Sequence, residues 1–146
     1  MTIYLVRHAK AEEHAAHGGD AARSLTAEGQ KRFEALAVAL TGRMKVARIV
    51  TSPARRARQT ADVLARHTGA PVSEEEALAS GASDGRALLD LARRTGAGTA
   101  LVGHNPEFAQ AIALAAGREV KVKPGTVAAI ELDHAGPRLT WLESPA

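Results

Sequence analysis

Two Arg-His pairs occur in the chain, Arg7-His8 and Arg66-His67. Only their surroundings tell them apart. Arg7 and His8 end the apolar run 3–6, as a buried strand would end by presenting a guanidinium beside an imidazole. Arg66 and His67 fall inside a helical pattern near its end, where positive charge complements the helix dipole. Two more apolar runs end in reactive company. Residues 46–51 lead into Ser52-Pro53 and the arginines Arg55, Arg56 and Arg58. Residues 99–103 lead into His104-Asn105-Pro106. Arginines at a helix start form a cradle for phosphate, because guanidinium groups bind its oxygens as a fork and helix N-termini offer free N–H groups. A histidine can attack phosphorus covalently if its ring is neutral, and neighbouring arginines push it that way. A second histidine, protonated once phosphate is bound, would stabilise charge building on the transferring group.

These groups meet only if the three runs are parallel neighbours. Strands are predicted at 2–6, 46–51 and 99–104, with a short one at 71–73 and a closing hairpin of 126–133 and 138–143 turned by 134–137. Helices lie between them. The first is capped by Thr26, carries the stripe Phe33, Leu36, Ala37 and Leu40, and stops at Gly42. Ser52 and Asn105 read as caps of two others, with Pro53 and Pro106 at first helical positions and Gly69 and Gly117 as stops. Asp84 caps a helix through Arg94. Strands alternating with helices predict an α/β sandwich with a largely parallel sheet, whose ligands bind at the carboxyl ends of the strands.

The helix after Ser52 sorts its own arginines. Arg55, Arg58, Gln59, Asp62 and Arg66 share a polar face, with Arg58–Asp62 and Asp62–Arg66 spaced to pair. Arg56 lies beside the apolar stripe of Ala57, Ala61 and Leu64 and is the arginine drawn inward.

Composition removes other chemistries. The chain has 146 residues, enough for one domain with its own core. It has no cysteine, which excludes disulfides and thiol nucleophiles. A net charge of +3 suits an anionic substrate, and no aromatic-rich basic stretch argues for nucleic acid. His14 and His17, with Glu12 and Glu13, lie in a polar loop without metal-ligand spacing, so no metal is expected. No G-x-x-x-x-G-K-[ST] loop or G-x-S-x-G elbow is present. No leader or membrane-length apolar run is seen, so no membrane is expected and the expected location is the cytoplasm. Lys10 reads equally as a substrate contact or a surface lysine, and 117–125, GREVKVKPG, as a solvated basic loop.

The segments LVRHAKA (5–11), SPARRARQTA (52–61) and GHNP (103–106) resemble, in order, the signature segments of the histidine phosphatase (phosphoglycerate mutase-like) superfamily. DAARSLTAEG (20–29) resembles a segment of its small, SixA-type phosphohistidine phosphatase branch, with Ser24 where proline is usual. The resemblance implies a three-layer α/β/α sandwich without a large cap domain. It implies His8 as the phosphorylated nucleophile, with Arg7, Arg56 and His104 completing the phosphate pocket, and no cofactor. The activity implied is hydrolysis of phosphohistidine on a protein. Alternatives are a small-molecule phosphomonoesterase and a non-catalytic phosphoprotein-binding module. Larger members place a general-acid glutamate two residues beyond a leucine; counted from Leu78, that position is Ser80. Glu74, Glu75 and Glu76 lie just upstream, and Glu76 is the candidate acid.

Overall fold

Burial on both faces of the middle strands decides the architecture. In the computed structural model, which describes residues 1–146, β1 (Thr2–Arg7) sends Tyr4 and Val6 to one side and Ile3 and Leu5 to the other, all of them buried. A strand alternates its side chains, so a strand apolar at successive positions needs a layer on each face. The first layer holds α1 (Ala27–Leu40) and α2 (Arg55–Thr68), which pack Phe33, Leu40, Ala61 and Leu64 onto the sheet. The second holds α3 (Gly85–Thr95) and α4 (Glu107–Ala116), which supply Leu88, Ala92, Phe108 and Ile112. The result is the expected three-layer α/β/α sandwich.

The other strands are β2 (Arg48–Thr51), β3 (Val72–Glu74), β4 (Thr99–Gly103), β5 (Val127–Asp133) and β6 (Gly136–Glu143). They form one sheet in the order β3-β2-β4-β1-β5-β6. The first four run parallel, and β5 and β6 add antiparallel pairings, as the closing hairpin predicted. Residues 75–84 join β3 to α3 directly, with no cap domain inserted. β4 lies between β1 and β2, with Arg7 opposite Gly103 and Thr51 opposite Val102. The three strand ends that carry the candidate site residues are therefore adjacent.

Several boundaries differ from the sequence reading, for identifiable reasons. α2 and α4 begin at Arg55 and Glu107, with Ala54 and Pro106 as caps, rather than at the prolines with Ser52 and Asn105 as caps. The Ser52 and Asn105 side chains have other partners. Ser52 Oγ accepts from the Ala54 N–H and meets His104, while Asn105 donates to the Val122 carbonyl and accepts from the Ala109 N–H. Gly42 does not stop α1; the chain tightens into a 3-10 turn at Thr41–Arg43, and Thr41 donates to the Ala37 carbonyl. β6 takes in Gly136 and Pro137, a proline tolerated because β6 is an edge strand. Asp62 does not pair with Arg66. Glu34 of α1 takes both Arg66, at 2.8 Å, and His67, at 2.5 Å, and so ties the two helices of the first layer.

Gly29 sets the start of α1. A Cβ there would lie 2.3 Å from the Lys10 carbonyl oxygen, so only glycine lets the helix come this close to the exit of β1. The Thr26 N–H donates to the same carbonyl at 3.0 Å, and Thr26 Oγ caps the helix by accepting from the Gly29 N–H.

Candidate active site

His8 follows the last residue of β1, and its N–H donates to the Gly103 carbonyl at 2.9 Å, continuing the β1–β4 ladder. The ladder brings His8 to His104, one residue past β4; the two rings lie 5.3 Å apart, centroid to centroid. His8 Nδ1 is 2.7 Å from the Ala9 carbonyl oxygen. A carbonyl only accepts, so Nδ1 carries the proton and Nε2 keeps its lone pair.

Arg56 reaches the same spot from the first turn of α2. It is only 4 % exposed, whereas Arg55 is exposed and Arg58 turns to Asp62 and Glu74. Its Nη2 lies 3.3 Å from His104 Nδ1, and a guanidinium only donates, so that nitrogen is the acceptor. The His104 proton is then on Nε2, which donates to Ser52 Oγ at 2.8 Å. Arg7 donates through Nη1 to the Val122 carbonyl at 2.9 Å. The Nε atoms of Arg7 and Arg56 are buried and have no hydrogen-bond partner, an unusual state for a cation in a protein interior.

Burial is the largest influence on both histidines. It lowers His8 to about 3, helped by His104, Arg56 and Arg7 and opposed by the bond to the Ala9 carbonyl. It lowers His104 to about 4, with Arg56 as the next cause, while Glu107 and Asp20 pull it back up. The sequence reading credited the arginines alone with keeping His8 neutral; desolvation outweighs them.

Three residues missed by sequence reasoning shape this site. Asp20 meets Arg56 twice, through its carbonyl at 2.9 Å and its carboxylate at 3.0 Å. A hydrogen bond from Arg23, and then the charge of Arg56, holds Asp20 below the usual carboxylate range. Ser52, read as a cap, positions His104. Glu107 is buried, accepts from the Gly81 N–H at 3.0 Å and supplies negative charge near His104. Its sequence signal, an acid in the first turn after GHNP, also fits an ordinary helix-dipole carboxylate.

Other candidates stand apart. Glu74 pairs with Arg58, Glu75 caps a 3-10 turn at Glu76–Leu78, and Glu76 itself is exposed, as is Ser80. His14 and His17 are exposed on the segment before Asp20. No group of three or more histidine and acidic residues is placed to hold a metal ion, and no helix is long and apolar enough to cross a membrane.

A family model described as the histidine phosphatase superfamily (branch 1) matches residues 3–97. The chain belongs to the histidine phosphatase superfamily. It is 38% identical over 121 residues to an uncharacterized protein of Picosynechococcus sp., covering 77% of this chain and 73% of that one. Its fold is SixA-like. A proposed phosphohistidine phosphatase SixA from Agrobacterium tumefaciens superposes with a TM-score of 0.86 at 24% identity, over 99% of this chain and 97% of that one. The protein histidine phosphatase SixA complexed with tungstate gives 0.84 at 23% identity, over 99% and 97%. At this level the protein is a phosphohydrolase of the histidine phosphatase superfamily.

The buried histidines make acid stability a test of the site. Unfolded, each titrates near 6.5; folded, near 3 and 4. Between those values the unfolded chain binds more protons, so stability falls as pH drops from about 6.5 towards 4. Each fully mismatched group contributes up to about 1.4 kcal/mol per pH unit. His104→Asn is therefore expected to unfold with a shallower pH dependence than wild type, by about 1 kcal/mol per pH unit between pH 6 and 4.5. Urea titrations across that range measure it, and parallel curves would mean that His104 is not held neutral.

Proposed function

We infer that the protein is a metal-independent phosphohistidine phosphatase that works through a phosphohistidine on His8. The observation that carries this reading is the His8 ring. It is neutral, its Nδ1 proton is committed to the Ala9 carbonyl, and its free Nε2 lone pair shares a site with two arginines whose Nε atoms lack acceptors. A tetrahedral dianion supplies acceptors of the kind those guanidinium groups lack, and its charge would raise the pKa of His104 until that ring could protonate. Tungstate, held by the related SixA, is such an anion.

In the first step Nε2 of His8 attacks phosphorus, the P–Nε2 bond forms and the bond to the substrate nitrogen breaks. With its other nitrogen already protonated, the departing imidazole leaves neutral. The two phosphohistidines are chemically alike, so this transfer needs no general acid, which fits the absence of an acidic residue at Ser80 and the exposed place of Glu76. In the second step water attacks phosphorus, the P–Nε2 bond breaks, its electron pair returns to His8, and the water protons stay with the released phosphate. Arg7, Arg56 and His104 bind the phosphoryl oxygens in both steps, where preorganised donors act most strongly.

Rapid quenching after mixing with a radiolabelled phosphohistidine peptide tests the proposal. The protein is expected to acquire label that is stable in base and lost in acid. Turnover without any such label, or no turnover of phosphohistidine beside ready turnover of small phosphomonoesters, would overturn it.

A further inference from the structure

Beside the candidate site lies a cavity of about 250 Å³, open to solvent. Ala9, next to His8, forms part of its wall, and Lys10, Arg32 and Lys123 bring three cations to it with no acidic residue among its lining. The three come from separate parts of the chain, and each part is fastened to the exit of β1. Lys10 is in that exit. Arg32 is one turn into α1, whose start is pressed against the Lys10 carbonyl by Gly29 and Thr26. Lys123 belongs to the basic loop after α4. Gly125, in a left-handed conformation at φ +82°, turns that loop so that its N–H donates to the carbonyls of Arg7 and His8, at 3.1 and 2.9 Å. The Val122 carbonyl takes the Arg7 side chain. The backbone thus fixes this basic wall in register with the proposed nucleophile. The only ion pair among these cations is Arg32 to Glu28, at 3.0 Å on an exposed helix face, an exchangeable contact.

We propose that this cavity is a docking subsite for acidic side chains that flank the phosphohistidine on a protein substrate. The proposal rests on the phosphohistidine reading and adds to it which proteins are accepted. Charge complementarity selects the occupant: three cationic side chains and no acidic side chain repel a basic flank and attract carboxylates. The connection from β3 to α3 is only residues 75–84, with no cap domain inserted, which suits a macromolecular partner.

Two phosphohistidine peptides that differ only in flanking Glu or Gln test the proposal, with an aryl phosphate as a third substrate. Wild type is expected to favour the acidic peptide by roughly tenfold in kcat/KM, the combined effect of a few exposed charge pairs. That preference should fade in high salt. Lys123→Glu should cut the preference to about twofold or less on the same reasoning, and Lys10→Gln should lower it in the same direction. Both lysines are exposed, so neither variant threatens folding. Equal turnover of the two peptides by wild type, or an unchanged preference in both variants, would overturn the subsite and leave the phosphohistidine reading standing. Turnover of the aryl phosphate alone would overturn both.

Discussion

His8→Ala is expected to lose phosphoenzyme formation entirely and to lower phosphohistidine turnover by roughly 10⁴-fold or more, the scale on which removing a covalent nucleophile acts. The expected loss is large because nothing nearby can substitute. His104, the nearest imidazole, has its Nδ1 beside a cationic guanidinium and its Nε2 proton on Ser52, so it offers no free lone pair to phosphorus. The arginines remain in the variant and should still bind the substrate. The defect should therefore fall on kcat with KM little changed. His8 is buried and its ring rests beside His104, so the substitution also opens a small cavity. A His8→Gln variant fills more of that space while lacking the nucleophile, and it should be as inactive. Quenched labelling and steady-state turnover on both variants provide the check. Wild-type label on either one would remove His8 from the mechanism.

The parts of this protein that were legible in its sequence are those governed by local pattern. Ile3–Val6 reads as a two-faced strand because each residue is apolar, and Arg7 and His8 then stand out as its polar end. Arg56 separates from Arg55 because a helix advances about 100° per residue, enough to carry one side chain inward and its neighbour outward. What stayed hidden depends on distance through space. Asp20 lies 36 residues from the arginine it holds, and Glu107 acts on His104 from a position that any helix start can fill with an acid. Arg66 offered an i, i+4 partner in Asp62, but a carboxylate on another helix could take Arg66 and His67 together. Desolvation was hidden for the same reason. Sequence shows which charges exist, whereas burial of the imidazoles appears only when the layers close over the strand ends.

Arg56→Ala is expected to lower kcat/KM by roughly 10²–10³-fold, the cost of removing a preorganised donor to developing charge, while Arg55→Ala stays within about twofold. The contrast follows from burial. Arg55 is exposed at the start of α2, and its charge is screened by solvent. Arg56 is buried against His104, so its charge acts in a weakly polar setting and its fork is already aimed. Arg56→Lys should recover only part of the loss, because an ammonium keeps the charge but cannot hold Asp20, His104 and a phosphate oxygen with one planar group. Removing Arg56 also removes the second-ranked cause of the low His104 pKa, so the pH at which His104 takes up a proton should rise. A structural role alone predicts a different outcome, in which thermal stability and activity fall together. Here the Asp20 carboxylate, 63% exposed, regains water and the buried His104 Nδ1 is left without its donor, a cost of about 1–3 kcal/mol, so the protein should stay folded at assay temperature while activity collapses. Parallel kinetics and thermal melts of the three variants separate these cases. Equal activity losses for Arg55→Ala and Arg56→Ala would mean that the inward face of α2 does not hold the phosphate.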